Sequence, residues 1–187
     1  MSISTIRKLG YHGTSKEAAK LIENSKYYKF SDSEKEWLGK GAYFFIDKSE
    51  DKRMEHAIDW TTKIRNNKEY SVLKTEVVVK NDEFMDFADN DDAQDLFHKV
   101  KLLFLEKGEY SGLDIRNGKA LDCKIMNEIC ESGDIKVATI KTYINFSKRD
   151  FKTPNSIVPN CKIMCVKDDS VIDKNTIKII KEGTVNE

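Results

Sequence analysis

The chain has 187 residues, of which 39% are hydrophobic, 34% are charged and two are proline. That length and composition predict one globular domain over 1–187 with a substantial core, and the balance of 32 basic against 32 acidic side chains excludes a global attraction to nucleic acid or an anionic membrane, leaving only local patches. No apolar run reaches the roughly 20 residues of a membrane-spanning helix, and residues 1–7 lack a secretory leader's apolar segment, so the expectation is a cytoplasmic protein with no membrane association.

Residues 5–13 read as a first strand and 15–25 as a first helix. Thr14 and Glu17 stand three apart, as in a capping box, and Ala18, Ala19, Leu21 and Ile22 supply an apolar face. Tyr27 to Phe30 is a short extended piece, and 31–36 is a polar loop. Trp37 to Gly41 is a glycine-rich turn running into an apolar strand through Tyr43 to Ile46. Asp47 then offers an N-cap with Glu50 three residues on. Met54, Ala57, Ile58, Thr61 and Ile64 mark one face of a second helix, with Trp60 off that face at a pocket edge.

Val72 to Val79 is β-rich, and the run Val77-Val78-Val79 predicts burial on both faces. Phe84 to Phe87 is a second short extended stretch. Ala93, Leu96, Phe97, Val100, Leu103 and Phe104 predict a helix over 91–106, and Leu121, Ile125 and Ile129 another around 119–131. From Ile135 the period becomes two. Ile135 and Val137 share one phase and Ile140, Thr142, Ile144 and Phe146 the other, which predicts a bulge. Strands at 162–167 and 176–181 close the sheet. Strands at both ends and helices between them, without strict β-α alternation, predict an α+β fold with mixed or antiparallel sheets.

Cys123, Cys130, Cys161 and Cys165 are spaced C-x6-C and C-x3-C with no histidine near them. Zinc pairs are usually tighter, so these read as buried free thiols and no metal is expected. The acidic run Asp89 to Asp92 reads as a helix start favoured by the helix dipole. His56 and His98 fall in helix patterns and read as surface residues. Lys40 reads as a solvated loop charge, with a phosphate contact as the alternative.

Two stretches carry chemistry. Gly10-Tyr11-His12-Gly13-Thr14 ends a strand and offers an imidazole beside a glycine, where no Cβ obstructs a ligand. Trp37-Leu38-Gly39-Lys40-Gly41-Ala42-Tyr43-Phe44-Phe45 offers a phenol on a strand after a glycine turn. Two such sites suit a flat polar ligand lying between them. The plain alternatives are a hydrogen-bonded strand histidine and a core tyrosine; strand alternation puts Tyr43 and Phe45 on one face and Phe44 on the other, so one set alone can line a cleft.

In order, with a helix between them, these stretches resemble the ADP-ribosyltransferase superfamily, in the branch of the poly(ADP-ribose) polymerases and diphtheria toxin with its His-Tyr-Glu pattern. The Trp37 to Phe45 form is similar to small bacterial members, several of which sit in toxin–antitoxin or phage-defence settings. The resemblance covers residues 10–60; beyond it, Cys165-Val166-Lys167 followed by Val171-Ile172 is loosely similar. It implies an ADP-ribosyltransferase-like split β-sandwich, two antiparallel sheets with flanking helices and a cleft for NAD, which is the substrate. By position, His12 would bond the adenosine-side ribose, the Gly13 backbone the nicotinamide carboxamide, and the Tyr43 ring would stack on nicotinamide. Tyr11, Thr14 and Gly41 complete the expected NAD-binding set, with Thr14 weighted toward capping the helix.

The resemblance places the third catalytic position on strand 162–167, where the inward candidate is Ile163, and no Glu occurs between Glu131 and Glu182. Glu128 or Glu131 from elsewhere, or Asn160 and Lys162 nearby, are the alternatives. The implied activity is an NAD-dependent mono-ADP-ribosyltransferase, a glycosyltransferase acting as a bacterial toxin or phage-defence effector on a protein or nucleic acid. An antitoxin or inhibitor protein is a further expected partner. The alternatives are an NAD glycohydrolase and a catalytically silent module that binds NAD, ADP-ribose or a protein.

Overall fold

A computed structural model describes residues 4–34, 36–108, 118–146 and 156–185. The described chain runs β1 (Thr5–Ser15), α1 (Lys16–Ser25), β2 (Ala42–Phe45), α2 (Glu50–Asp59), β3 (Glu69–Lys80), β4 (Phe84–Asp86), α3 (Asp91–Glu106), α4 (Gly118–Ser132), β5 (Val137–Thr142), β6 (Cys161–Val166) and β7 (Ile172–Thr184). The fold is α+β. Its seven strands lie in the order β4-β5-β6-β2-β1-β3-β7, antiparallel throughout except for the parallel pair β4/β5.

This corrects the expectation of two separate antiparallel sheets: the strands form one mixed order. The join is narrow. β1 pairs with β3 along its whole length, from Thr5↔Lys80 to Ser15↔Tyr70, but meets the four-residue β2 in a single Cα pair, Tyr11↔Phe45. Beyond that pair the two halves of the sheet are not laddered together, and this is where the candidate site lies.

Alternation along the strands feeds two cores, one on each face. Tyr11, Phe45, Ile163 and Cys165 join Ala57 of α2 and Leu121, Ile125 and Ile129 of α4 in one. Phe44, Met164 and Val166 join Ala19 of α1, Tyr28, Leu73, Val77 and Val79 in the other. Val78 is half-buried, so the valine run alternates and is not covered on both faces as expected. β5 pairs with β6 in unbroken register from Val137↔Val166 to Thr142↔Cys161, so the predicted bulge is absent there. The change of phase arises because Val137, Ala138 and Thr139 are all buried, with both faces covered at that point. The register shifts fall between β3 and β7 instead.

α3 and α4 lie where their periodicity predicts, and Asn90 caps α3 by accepting from Asp92 N (3.0 Å) and Ala93 N (3.3 Å). Both earlier caps are corrected. β1 runs to Ser15, so Thr14 stays in the ladder opposite Ser71 and Ser15 caps α1, its Oγ accepting from Ala18 N at 3.2 Å. Ser15→Ala is therefore expected to cost about 1 kcal/mol in urea denaturation, whereas a capping box at Thr14 would leave it near neutral. Ser49, with no side-chain bond, holds the cap position of α2, because the Asp47 carboxylate is engaged by Lys162 N (2.9 Å) and His56 Nδ1 (3.0 Å). His56 is consequently buried beneath Phe146, with ring centroids 5.3 Å apart, and is not the surface residue expected. The four cysteines are buried free thiols.

Candidate active site

The gap in the sheet opens into a cavity of about 840 Å³, walled by His12 to Ser15 of β1, Gly41 to Phe45, Lys29 to Ser33, Glu36 and Trp37, Ile144, Ile163 of β6, and Trp60, Arg65 and Asn67 beyond α2. His12 sits edge-on to Tyr28 (5.3 Å) and tilted against Phe44 (5.8 Å). Its Nδ1 lies 2.8 Å from the Tyr43 carbonyl oxygen. A carbonyl only accepts, so Nδ1 carries the proton, and in the neutral ring Nε2 is a bare acceptor. Burial lowers the His12 pKa and the Arg65 charge lowers it further, against the opposing pull of the Tyr43 carbonyl. The neutral tautomer therefore prevails at pH 7.

That shift has a consequence for stability. With the folded pKa below the ordinary 6.5, the unfolded chain binds the proton more readily. The His12 contribution is thus complete above pH 6.5 and declines as pH falls from there toward the folded value. Urea midpoints measured between pH 7.5 and 5 are expected to fall less steeply for His12→Gln than for the natural chain; equal slopes would exclude this.

Tyr43 spends its hydroxyl on its own turn, donating to Gly39 O (2.5 Å) and accepting from Leu38 N (3.0 Å). Burial raises its pKa strongly, with the charges of Cys165 and Glu36 adding. The phenol is neutral and fixed, so what it can offer a ligand is its ring. Trp37 stands edge-on to that ring (6.4 Å) and Trp60 tilts against Trp37 (5.6 Å), giving the cavity an aromatic side. The turn is also braced from behind. Lys167 Nζ donates to Leu38 O (2.5 Å) and Lys40 O (3.0 Å), and Asn127 Oδ1 accepts from Lys40 N (2.8 Å). Gly39 adopts φ +74°, and any Cβ there would fall 2.0 Å from Asn127 Oδ1. Lys40 points out to Asp32 at 3.4 Å, the solvated-charge reading.

Six of the expected site residues, His12, Gly13, Thr14, Gly41, Tyr43 and Ile163, line this one cavity. Thr14 faces it instead of capping α1. Tyr11 does not line it: its side chain alternates away from His12 into the core on the α2 side, fully buried, donating to Glu50 Oε1 under the Arg53 guanidinium, 5.2 Å away. Ile163 forms wall opposite Phe45 and Ile140. It has no proton or charge to give, so the catalytic role expected at that position is not one its side chain can fill. Three of the alternatives do not fill it either. Asn160 bonds both backbone groups of Ile144 (2.9 and 2.8 Å), Lys162 pairs with Asp86 (3.4 Å) and Asp89 (2.7 Å), and Glu131 lines a separate hollow with Lys136.

Two carboxylates line the cavity: Asp32, exposed and paired with Lys40, and Glu36, half-buried and accepting from the Ser31 hydroxyl. Glu36 stands one residue before the Trp37 motif, in a loop whose polarity reads only as solvent exposure. Arg65 and Asn67 were equally silent in sequence. They follow a single π-helical turn, Trp60–Ile64, closed by Arg65 N→Trp60 O at 3.0 Å, a feature often found at functional sites. Among the described residues no group of three His, Cys, Asp or Glu could hold a metal ion, and no helix is long and apolar enough to cross a membrane.

No family model matches the chain. An uncharacterised protein of Methanocaldococcus jannaschii is 32% identical to it over 89 residues, which is 45% of this chain and 39% of that protein. The chain thus spans about two fifths of the length of that relative.

Proposed function

We propose that the cavity takes NAD as substrate, that the fold is ADP-ribosyltransferase-like, and that the protein is a mono-ADP-ribosyltransferase acting on a protein or nucleic acid. The observation that carries this reading is the meeting of His12 and Tyr43, 31 residues apart, across the break in the sheet, tied by one hydrogen bond and lining one cavity. His12 Nε2 accepts a ribose hydroxyl. Gly13 lies beyond the last β1–β2 pair and offers backbone to a planar amide. The Tyr43 ring stacks on nicotinamide, worth about 0.5–1.5 kcal/mol beyond burial.

In the reaction the C1′–nitrogen bond breaks with its electron pair going to nicotinamide, leaving cationic character on the ribose. The acceptor's nucleophile then bonds C1′ and loses its proton. A carboxylate beside the ribose stabilises that cation, as in glycoside cleavage, and Glu36 takes the part. The effector role, and an antitoxin or inhibitor that covers the cavity, belong to the same proposal. Labelled NAD incubated with the protein and a bacterial lysate tests it: label is expected on a macromolecule, and lost with Tyr43→Ala. Nicotinamide release without labelled acceptor would make the protein a glycohydrolase. Ile163 at the third position favours one other reading, a silent NAD- or ADP-ribose-binding module. Calorimetric binding of NAD with no turnover over a day decides for it.

A further inference from the structure

We infer that the cavity selects its ligand by phosphate and that Arg65 is the residue that makes the selection; this deepens the reading of the cavity as a dinucleotide site and rests on it. The cavity's ionic side chains are Lys29, Asp32, Glu36 and Arg65. Asp32 is paired with Lys40 at 3.4 Å and Glu36 is bonded by Ser31. Arg65 has no carboxylate partner among the described residues. Other arginines differ: Arg7 holds Glu76 at 2.7 Å, and Arg53 is spent on the carbonyls of Asp47 (2.6 Å) and Lys48 (3.3 Å).

Arg65 is nonetheless held. Its guanidinium lies 5.0 Å from the Trp60 ring centroid, a contact that fixes orientation without neutralising charge. The π-helical turn between the two residues brings both to the same wall. Its field reaches the imidazole, since the Arg65 charge helps lower the His12 pKa. A planar, pre-oriented fork of donors without an acid, opening into a cavity where the acids are otherwise engaged, suits phosphate oxygens taken two at a time. Lys29 adds a second, unoriented charge on the same cavity. A ligand of equal shape without phosphate leaves that fork unused.

Calorimetric titration of nicotinamide mononucleotide against nicotinamide riboside, two ligands differing by one phosphate, tests this directly. The natural chain is expected to prefer the mononucleotide by about tenfold or more, the scale of charged hydrogen bonds, and the preference falls as salt is raised. Arg65→Gln, at an exposed position outside the core, should erase most of that preference while leaving riboside binding unchanged, and Arg65→Lys should keep part of it. Equal binding of the two ligands, or a preference that survives Arg65→Gln, overturns the inference and leaves the NAD reading standing. If neither nicotinamide ligand binds but inorganic pyrophosphate does, and Arg65→Gln abolishes that, the NAD reading falls and the phosphate site stands. No binding of any of the three overturns both.

Discussion

Glu36→Gln is expected to lower NAD turnover by about 10²–10³-fold, the scale of losing one preorganised electrostatic group, with NAD affinity held within about threefold. The expectation follows from where charge develops. Glutamine keeps the shape of the side chain and a carbonyl that can accept from the Ser31 hydroxyl, as Glu36 does now. What it removes is the negative charge, which matters little to bound NAD and much to the ribosyl cation, so the loss belongs in kcat. Single-turnover release of nicotinamide, paired with calorimetric NAD titration, separates the two quantities. The turn that carries Glu36 into Trp37 is pinned by Lys167 and Asn127, so a large drop in affinity would report a displaced turn and not a missing charge. Unchanged turnover would remove Glu36 from the mechanism.

What could be read in advance divides by range. α3, the strand that carries His12 and the strand that carries Tyr43 declare themselves through local periodicity, and the structure puts them there. Local chemistry misleads where a distant partner decides. Thr14 has a glutamate three residues on, yet the ladder with β3 continues past it to Ser15↔Tyr70, so the hydroxyl one residue later becomes the cap. His56 falls off the apolar stripe of its helix, but Asp47 and Phe146 come to it from separate segments and bury it. Tyr11 belongs to the same short motif as His12, and period-two alternation sends the two rings to opposite faces. Glu36 and Arg65 lie in segments with no period at all. They become visible only when the break between β1 and β2 gathers them around one space.

Gly13→Ala is expected to destabilise the fold by about 3 kcal/mol or more, the upper end of overpacking costs. A Cβ at this position would stand 1.8 Å from the carbonyl oxygen of Ala57 and 2.6 Å from its carbon. Both are backbone atoms of α2, so no rotamer change relieves the overlap; the helix must withdraw from β1 or the strand must bend. Ala57 is fully buried, and α2 leads into the turn bearing Trp60 and Arg65, so withdrawal also moves one wall of the cavity. Gly118→Ala is the matched control. A Cβ there meets nothing within 4 Å, and in a helix the exchange favours alanine by up to about 1 kcal/mol. Urea denaturation of both variants beside NAD titration then distinguishes two reasons for glycine at 13. If the residue served only to admit a ligand, Gly13→Ala would lose affinity at full stability; if α2 demands it, stability goes first, and whatever binding is lost is lost with the seating of that helix.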